Sequence, residues 1–196
     1  MTQGVRAQQR DRTRAALLEA SRRLFAAHGY AGVPLDAIVG EAGVTKGALY
    51  HHFTGGKIDL FRAVLAQVQA EVAQHVAAAA QAEGDPWDQL VSGCRAFLTA
   101  STQDAVRRIM LVDGPAVLGW SEWRALDEAG SASHLGESLA GLIEAGVISP
   151  QPVAPLTRLL SGAMNEAALW LAETGDPHDL QDVLAALSRL LAALRS

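Results

Sequence analysis

The sequence predicts an all-α protein, and three observations carry that prediction. Alanine and leucine dominate, while β-branched residues are sparse and aromatics make up 5% of the chain, a composition that favours helix over sheet. Apolar residues recur at helical spacing along most of the length, and no stretch has the strict alternation of a half-buried strand. Glycines, Asp-Pro pairs and a Thr fall between those runs, where helices begin and end.

The elements follow in order. The first helix is expected from about Gln8 to His28, with Leu17, Leu18, Leu24 and Phe25 on one face, six arginines between Arg6 and Arg23, and Gly29 as its stop. Pro34 suits the first turn of a short second helix, about Leu35 to Ala42, with Asp36 near its positive end and Gly43 beyond it. Thr45 stands where an N-cap belongs, opening a third helix from about Lys46 to Phe53. Thr54-Gly55-Gly56 breaks that helix. A long fourth one then runs from Lys57 to about Ala82, with Phe61, Val64, Leu65, Val68, Val72 and Val76 on one stripe.

Asp85-Pro86 opens a fifth helix carrying Trp87, Leu90, Val91, Cys94, Phe97 and Leu98. Helices are expected over about 104–112 and 116–129, separated by Asp113-Gly114-Pro115, and over about 132–145, stopped by Gly146. The Pro-rich segment VISPQPVAP reads as a linker. Two last helices cover about 155–174 and 177–195, the second opened by Asp176-Pro177. No internal repeat is visible.

Composition excludes several classes. With 196 residues, 49% of them hydrophobic and 19% charged, the chain can bury a core. Its one cysteine, Cys94, rules out an intramolecular disulfide framework and suits a reducing compartment. The start, MTQGVRAQQRDRTR, lacks the apolar core of a signal peptide, and no uncharged apolar run approaches the roughly 20 residues of a spanning helix. A soluble, cytoplasmic protein is expected.

Charge is distributed unevenly. Residues 1–57 hold eight Lys or Arg against four Asp or Glu, a balance of +4, whereas residues 58–196 hold eight against seventeen, a balance of −9. Such asymmetry suggests a basic working end on an acidic body, the alternative being a chance excess of solvated arginines.

The second and third helices, joined by a short Gly-containing turn, have the helix-turn-helix arrangement, in which the second helix lies in the DNA major groove. A groove-lying helix must keep its outer face unburied. Here Leu49 and Phe53, spaced i and i+4, anchor the third helix inward, leaving Lys46, Gly47, Tyr50 and His51 to face outward. Gly47 and Ala48 are small enough for a close backbone approach. The competing reading makes Tyr50 a core aromatic.

From Thr13 to Leu65 the chain resembles the TetR family of bacterial transcriptional regulators, most specifically in AGVTKGALYHHF. The resemblance implies that Thr45, Lys46, Gly47, Tyr50 and His51 contact DNA and that Lys57 meets a phosphate. Two departures stand out: Val33-Pro34 replaces the usual hydroxyl residues before the second helix, and the turn before Lys57 is one residue longer. It implies an N-terminal three-helix DNA-binding domain, residues 1–57 with the motif at about 34–53, and a C-terminal helical ligand-sensing and dimerisation domain, residues 58–196.

Rival chemistry is weak. His51 and His52 are adjacent, so they do not share a helix face as metal ligands at i,i+3 or i,i+4 do. Gly55-Gly56-Lys57 is no P-loop, because Ile58 stands where Ser or Thr is required. Cys94 on an apolar stripe reads as core, and no Gly-x-Ser-x-Gly or paired-cysteine motif appears. No metal, cofactor or enzymatic activity is expected.

In the body, the last helix presents Leu180, Val183, Leu184, Leu187, Leu190, Leu191 and Leu194 as a packing seam. The helix before it offers Leu156, Leu159 and Leu160 with small residues between. Both fit a two-fold homodimer, as the resemblance implies, or packing within one chain. All four tryptophans lie beyond residue 57. Trp120 and Trp123, with Met110, His134, Met164 and Trp170, are candidate walls of a pocket for a small-molecule effector, core packing being the alternative. The expected function is a ligand-responsive transcriptional regulator, most simply a repressor released from operator DNA. The alternatives are a DNA-binding protein of the same fold that senses nothing, and a helical enzyme, which the missing catalytic constellation disfavours.

Overall fold

The computed structural model describes the backbone of residues 2–174 and 176–195, and the side chains of 7–173, 176 and 178–195. Its elements are α1 (Thr2–Gly32), α2 (Leu35–Glu41), α3 (Lys46–His52), α4 (Lys57–Gln81), α5 (Pro86–Ser101), α6 (Asp104–Arg107), a π-helical segment (Arg108–Asp113), α7 (Gly114–Leu118), α8 (Trp120–Glu128), α9 (Ser131–Glu144), α10 (Val153–Thr174) and α11 (Pro177–Ala192). The described residues contain no strand, only an isolated antiparallel bridge between Ile148 and Arg195. No helix among them is long and apolar enough to cross a membrane.

The expected stops are visible as backbone geometry. Gly29 has φ 70°, a value that costs an L side chain dearly but glycine little, and it kinks α1 before a last short turn. α1 begins earlier than expected, at Thr2; the side chain of Arg6, one of the expected arginines, lies outside the described residues. α2 ends in a Schellman motif, Gly43 donating to the Gly40 carbonyl at 3.2 Å and Val44 to that of Val39 at 3.0 Å. Gly146 and Val147 close α9 in the same way. Pro34 is the N-cap of α2 rather than part of its first turn, and α2 has no side-chain cap bond.

The segment around residue 113 differs from expectation. Asp113-Gly114-Pro115 does not interrupt the helical path: α6 passes through the π-helical segment directly into α7, and the break comes at Gly119, φ 78°. Asp113 is held there by a residue far away in sequence, its Oδ2 accepting from the Tyr30 backbone N–H at 2.7 Å. No local signal reports such a bond.

The chain divides into two compact units. Met1–Val68 with Arg108–Trp123 form one, and Gln69–Arg107 with Arg124–Ser196 form the other. The first is cored by Leu17, Phe25, Ile38, Leu49, Phe61, Leu65 and Ile109, all fully buried. Phe25, Tyr30 and Phe61 pack as an aromatic trio with centroids 5.1–5.7 Å apart. In the second unit α5, α9 and α10 pack on one another, and α11 covers α5 and α10. Its core includes Leu98, Leu139, Leu142, Ile148 and Leu191. The segment expected to be a linker thus carries one fully buried core residue, Ile148.

Candidate functional site

In the first unit, α3 is built to show one face. Thr45 adopts extended backbone, φ −92° and ψ 158°, and its hydroxyl oxygen accepts from the Ala48 N–H at 3.2 Å. That bond satisfies an end donor of a helix too short to be stable alone. Leu49 is fully buried and Phe53 is buried, while Tyr50 is 49% exposed. Thr45, Lys46, Gly47 and His51 are exposed as well. Five of the six residues expected to contact DNA are therefore exposed.

The sixth, Lys57, is placed differently. It is half-buried, and its Nζ lies 4.1 Å from the centroid of the Tyr30 ring. Burial lowers its pKa, against the opposing pull of the Asp113 carboxylate. Lys46 pairs with Asp36 at 2.5 Å, and that carboxylate raises its pKa.

A groove between α1 and α3 is lined by Arg10, Thr13, His51 and His52. The His52 imidazole titrates lower than usual, first because of partial burial and then because His51, Arg10 and Arg14 place positive charge around it. His51 and His52 stack edge-on with centroids 5.5 Å apart. The described residues contain no cluster of three or more His, Cys, Asp or Glu able to hold a metal.

The exit from α3 is tied to α4. The Asp59 carboxylate accepts from the Gly55 N–H at 2.7 Å and from Arg62 Nη1 at 2.7 Å. Gly56, φ 67°, comes so close to Tyr50 that a Cβ there would lie 3.1 Å from the ring.

The second unit contains a cavity of about 200 Å³ between α4, α5, α8, α9 and α10. Val76, Leu90, Phe97, Leu135 and Met164 give it apolar walls, and Asp127, Ser138 and Ser161 supply polar groups. Of the six residues expected to line a pocket, His134 and Met164 do so; Met110, Trp120, Trp123 and Trp170 do not. Trp123 is 3% exposed in the core of the first unit, its indole N–H donating to the Met110 carbonyl at 2.7 Å. Met110 is buried beside it. Trp120 is 66% exposed and Trp170 is 44% exposed. Spacing of i,i+3 puts Trp120 and Trp123 side by side, with centroids 5.0 Å apart, without saying what they face.

Cys94 lines the cavity, and burial pushes its thiol up to about 12, so it stays protonated and is no nucleophile. Asp127 is also buried. Its Oδ2 accepts from Arg124 Nη1 at 2.8 Å and from the Ser161 hydroxyl at 3.3 Å. Burial raises its pKa, opposed by Arg124 and Ser161. A buried acid among apolar positions was missed from sequence, because Arg124 and Asp127 at i,i+3 look like an ordinary surface pair.

A capped, outward-facing helix on a three-helix scaffold, followed in the chain by a helical body with a cavity, defines a helix-turn-helix protein. Residues 17–64 match the bacterial regulatory proteins of the tetR family. Residues 87–194, more than half of the chain, match the tetracyclin repressor-like C-terminal domain. The chain belongs to the TetR family. A TetR-family regulator from Pectobacterium atrosepticum has 35% sequence identity, with 96% of each chain covered and a TM-score of 0.77. LmrA, an HTH-type transcriptional regulator of Bacillus subtilis, is 37% identical over 86 residues, 44% of each chain, so the match spans under half of LmrA. RolR in complex with resorcinol shares the fold, with a TM-score of 0.71 at 19% identity over 94% of this chain and 89% of RolR.

Proposed function

We propose that this chain is a ligand-responsive, DNA-binding transcriptional regulator that works in the cytoplasm as a homodimer, repressing genes until a small molecule enters the cavity of the second unit. The observation that carries the reading is the division of α3 into a buried edge, Leu49 and Phe53, and an open one bearing Thr45, Lys46, Gly47, Tyr50 and His51. Lys46 pairs with Asp36 and Tyr50 lies against Gly56, yet both stay exposed beside His51, as a helix that enters a DNA groove requires. Lys57 joins this set as a phosphate contact only by leaving the Tyr30 ring.

Dimerisation is assigned to α10 and α11. Leu159 is 72% exposed, and Trp170 and Leu190 are exposed too, with the exposed small residues Gly162 and Ala163 between Leu159 and Trp170. Large apolar side chains beside small ones suit close helix packing across a two-fold axis. The resorcinol complex of RolR supports the view that this fold accommodates a small aromatic molecule. Footprinting the protein on DNA upstream of its own gene tests the reading. A discrete footprint lost on Tyr50→Ala supports it, and the absence of sequence-selective binding overturns it.

A further inference from the structure

The lining of the cavity carries acids but few cationic groups. No Lys or Arg lines it, whereas Asp127 and Glu137 do. Arg124, the nearest cation to Asp127, is already committed to Asp127 and, at 3.5 Å, to Glu128. Glu128 in turn pairs with Arg158 at 2.7 Å. An entering carboxylate would therefore be desolvated beside Asp127 with no free Lys or Arg to meet it, and His134, the one lining imidazole, already lies 3.9 Å from the Glu137 carboxylate. Asp127 is 4% exposed, and both of its protein hydrogen bonds end on Oδ2. Among the described residues no donor reaches Oδ1 of this cavity-lining side chain. That oxygen keeps its acceptor lone pairs open to a donor that enters the cavity.

Resting on the reading of this cavity as the effector site, we propose that it takes a small, non-anionic molecule, an apolar ring or short chain bearing one hydroxyl or amine that donates a hydrogen bond to Asp127. The volume sets the scale. A dry cavity of about 150 Å³ holds benzene, so 200 Å³ holds a single substituted ring. Ser161 orients the acceptor by donating to Oδ2, and Phe97, Leu135 and Met164 receive the apolar part.

Four probes of matched size separate the contributions: 2-phenylethanol, 2-phenylethylamine, phenylacetate and propylbenzene, titrated calorimetrically into the whole chain of 196 residues. The alcohol or the amine should bind roughly tenfold more tightly than propylbenzene, which lacks the donor, and phenylacetate more weakly than either. The better of the two donors identifies the ligand group. Asp127→Asn should erase the advantage over propylbenzene. Because that change leaves Arg124 short of a partner, Gly93→Leu gives a second arm. A Cβ on Gly93 meets Val76 Cγ1 at an ordinary 3.5 Å, so a longer side chain there occupies the cavity and should block all four probes. Phenylacetate binding as well as the donors, propylbenzene equalling them, no probe binding, or binding unaffected by Gly93→Leu would each overturn the proposal. Binding of the donors without release of DNA would uphold the assignment of the cavity while refuting its role as the effector site.

Discussion

Arg62 on α4 grips Glu122 on α8 with two hydrogen bonds, Nε to Oε1 and Nη2 to Oε2, the second at 3.3 Å. The same guanidinium holds Asp59, which in turn caps Gly55 in the turn that leaves the recognition helix. One arginine thus joins that turn to a segment sixty residues further along. Arg62 lowers the pKa of Glu122, and both side chains are more than a third exposed. Solvent therefore screens the pair, and its bidentate geometry places it near the upper end of exposed pairs, about 1 kcal/mol. A carboxylate with a lowered folded-state pKa contributes stability above its unfolded pKa, about 4.3, and loses it as pH falls through the folded value. Glu122→Gln should therefore melt below wild type at pH 7, and the two curves should converge near pH 3. A gap that persists in acid would mean that the ion pair is not its source.

Tyr50→Ala is expected to leave thermal stability within about 0.5 kcal/mol, since the side chain is half in solvent. Operator affinity should fall by roughly 1–3 kcal/mol, the scale of a good groove contact. Melting and gel-shift titrations on the same preparation decide it. A large loss of melting temperature with normal DNA binding would return Tyr50 to the core.

Much of this organisation is legible in the sequence, for a definite reason. α2, α3 and α4 are set by nearby residues: the Thr45 cap, the Gly43 stop, the Leu49 and Phe53 spacing. The path through Asp113 and the environment of Trp123 are set instead by partners far along the chain, Tyr30 in one case and Met110 in the other. A Cβ on Gly114 would lie 2.7 Å from the Trp123 ring, so that glycine serves packing, whereas beside a proline it reads as a turn. The cavity takes its walls from five helices, and periodicity within any one helix says nothing of a space between several.

Binding to phosphates should appear as salt and pH dependence. Arg10 and Arg12 are exposed on α1, and deleting residues 1–12 should lower the slope of log affinity against log salt by about one for each phosphate that the shortened arm no longer reaches. His52, titrating low in the free protein, would be stabilised in its charged form by a nearby phosphate. DNA binding would then take up a proton, so affinity should rise as pH falls from 8 to 6, by at most about tenfold per pH unit for one linked proton. His52→Gln should flatten that rise; a profile unchanged by the substitution would remove His52 from the interface.

Leu159→Asp tests the dimer surface. The side chain is largely in solvent, so the monomer should still fold, while a charge facing its two-fold mate should shift sedimentation toward the monomer. Operator affinity should fall with it, because two recognition helices must meet grooves about 34–36 Å apart. A variant that remains dimeric would place the dimer surface elsewhere.

Transmission from cavity to DNA can be tested on α4 alone. It is one helix from Lys57 to Gln81, roughly 38 Å long at about 1.5 Å per residue. Its first turn follows the exit from α3, and Val76, Ala77 and Ala80 near its far end line the cavity. If ligand works by shifting that far end, the response depends on the stiffness of the helix between. Ala66 and Ala70 are exposed mid-helix positions that touch neither the cavity nor α3's open face. Replacing both with glycine costs helix stability, about 1 kcal/mol at each, and leaves both sites chemically intact. Ligand affinity and operator affinity measured separately should then stay near wild type. Their coupling, typically about 1–3 kcal/mol, should shrink, so that saturating ligand no longer releases DNA fully while sedimentation still reports a dimer. Full release by ligand in the double-glycine variant would exclude α4 as the lever, and release accompanied by monomers would point to loss of the dimer itself.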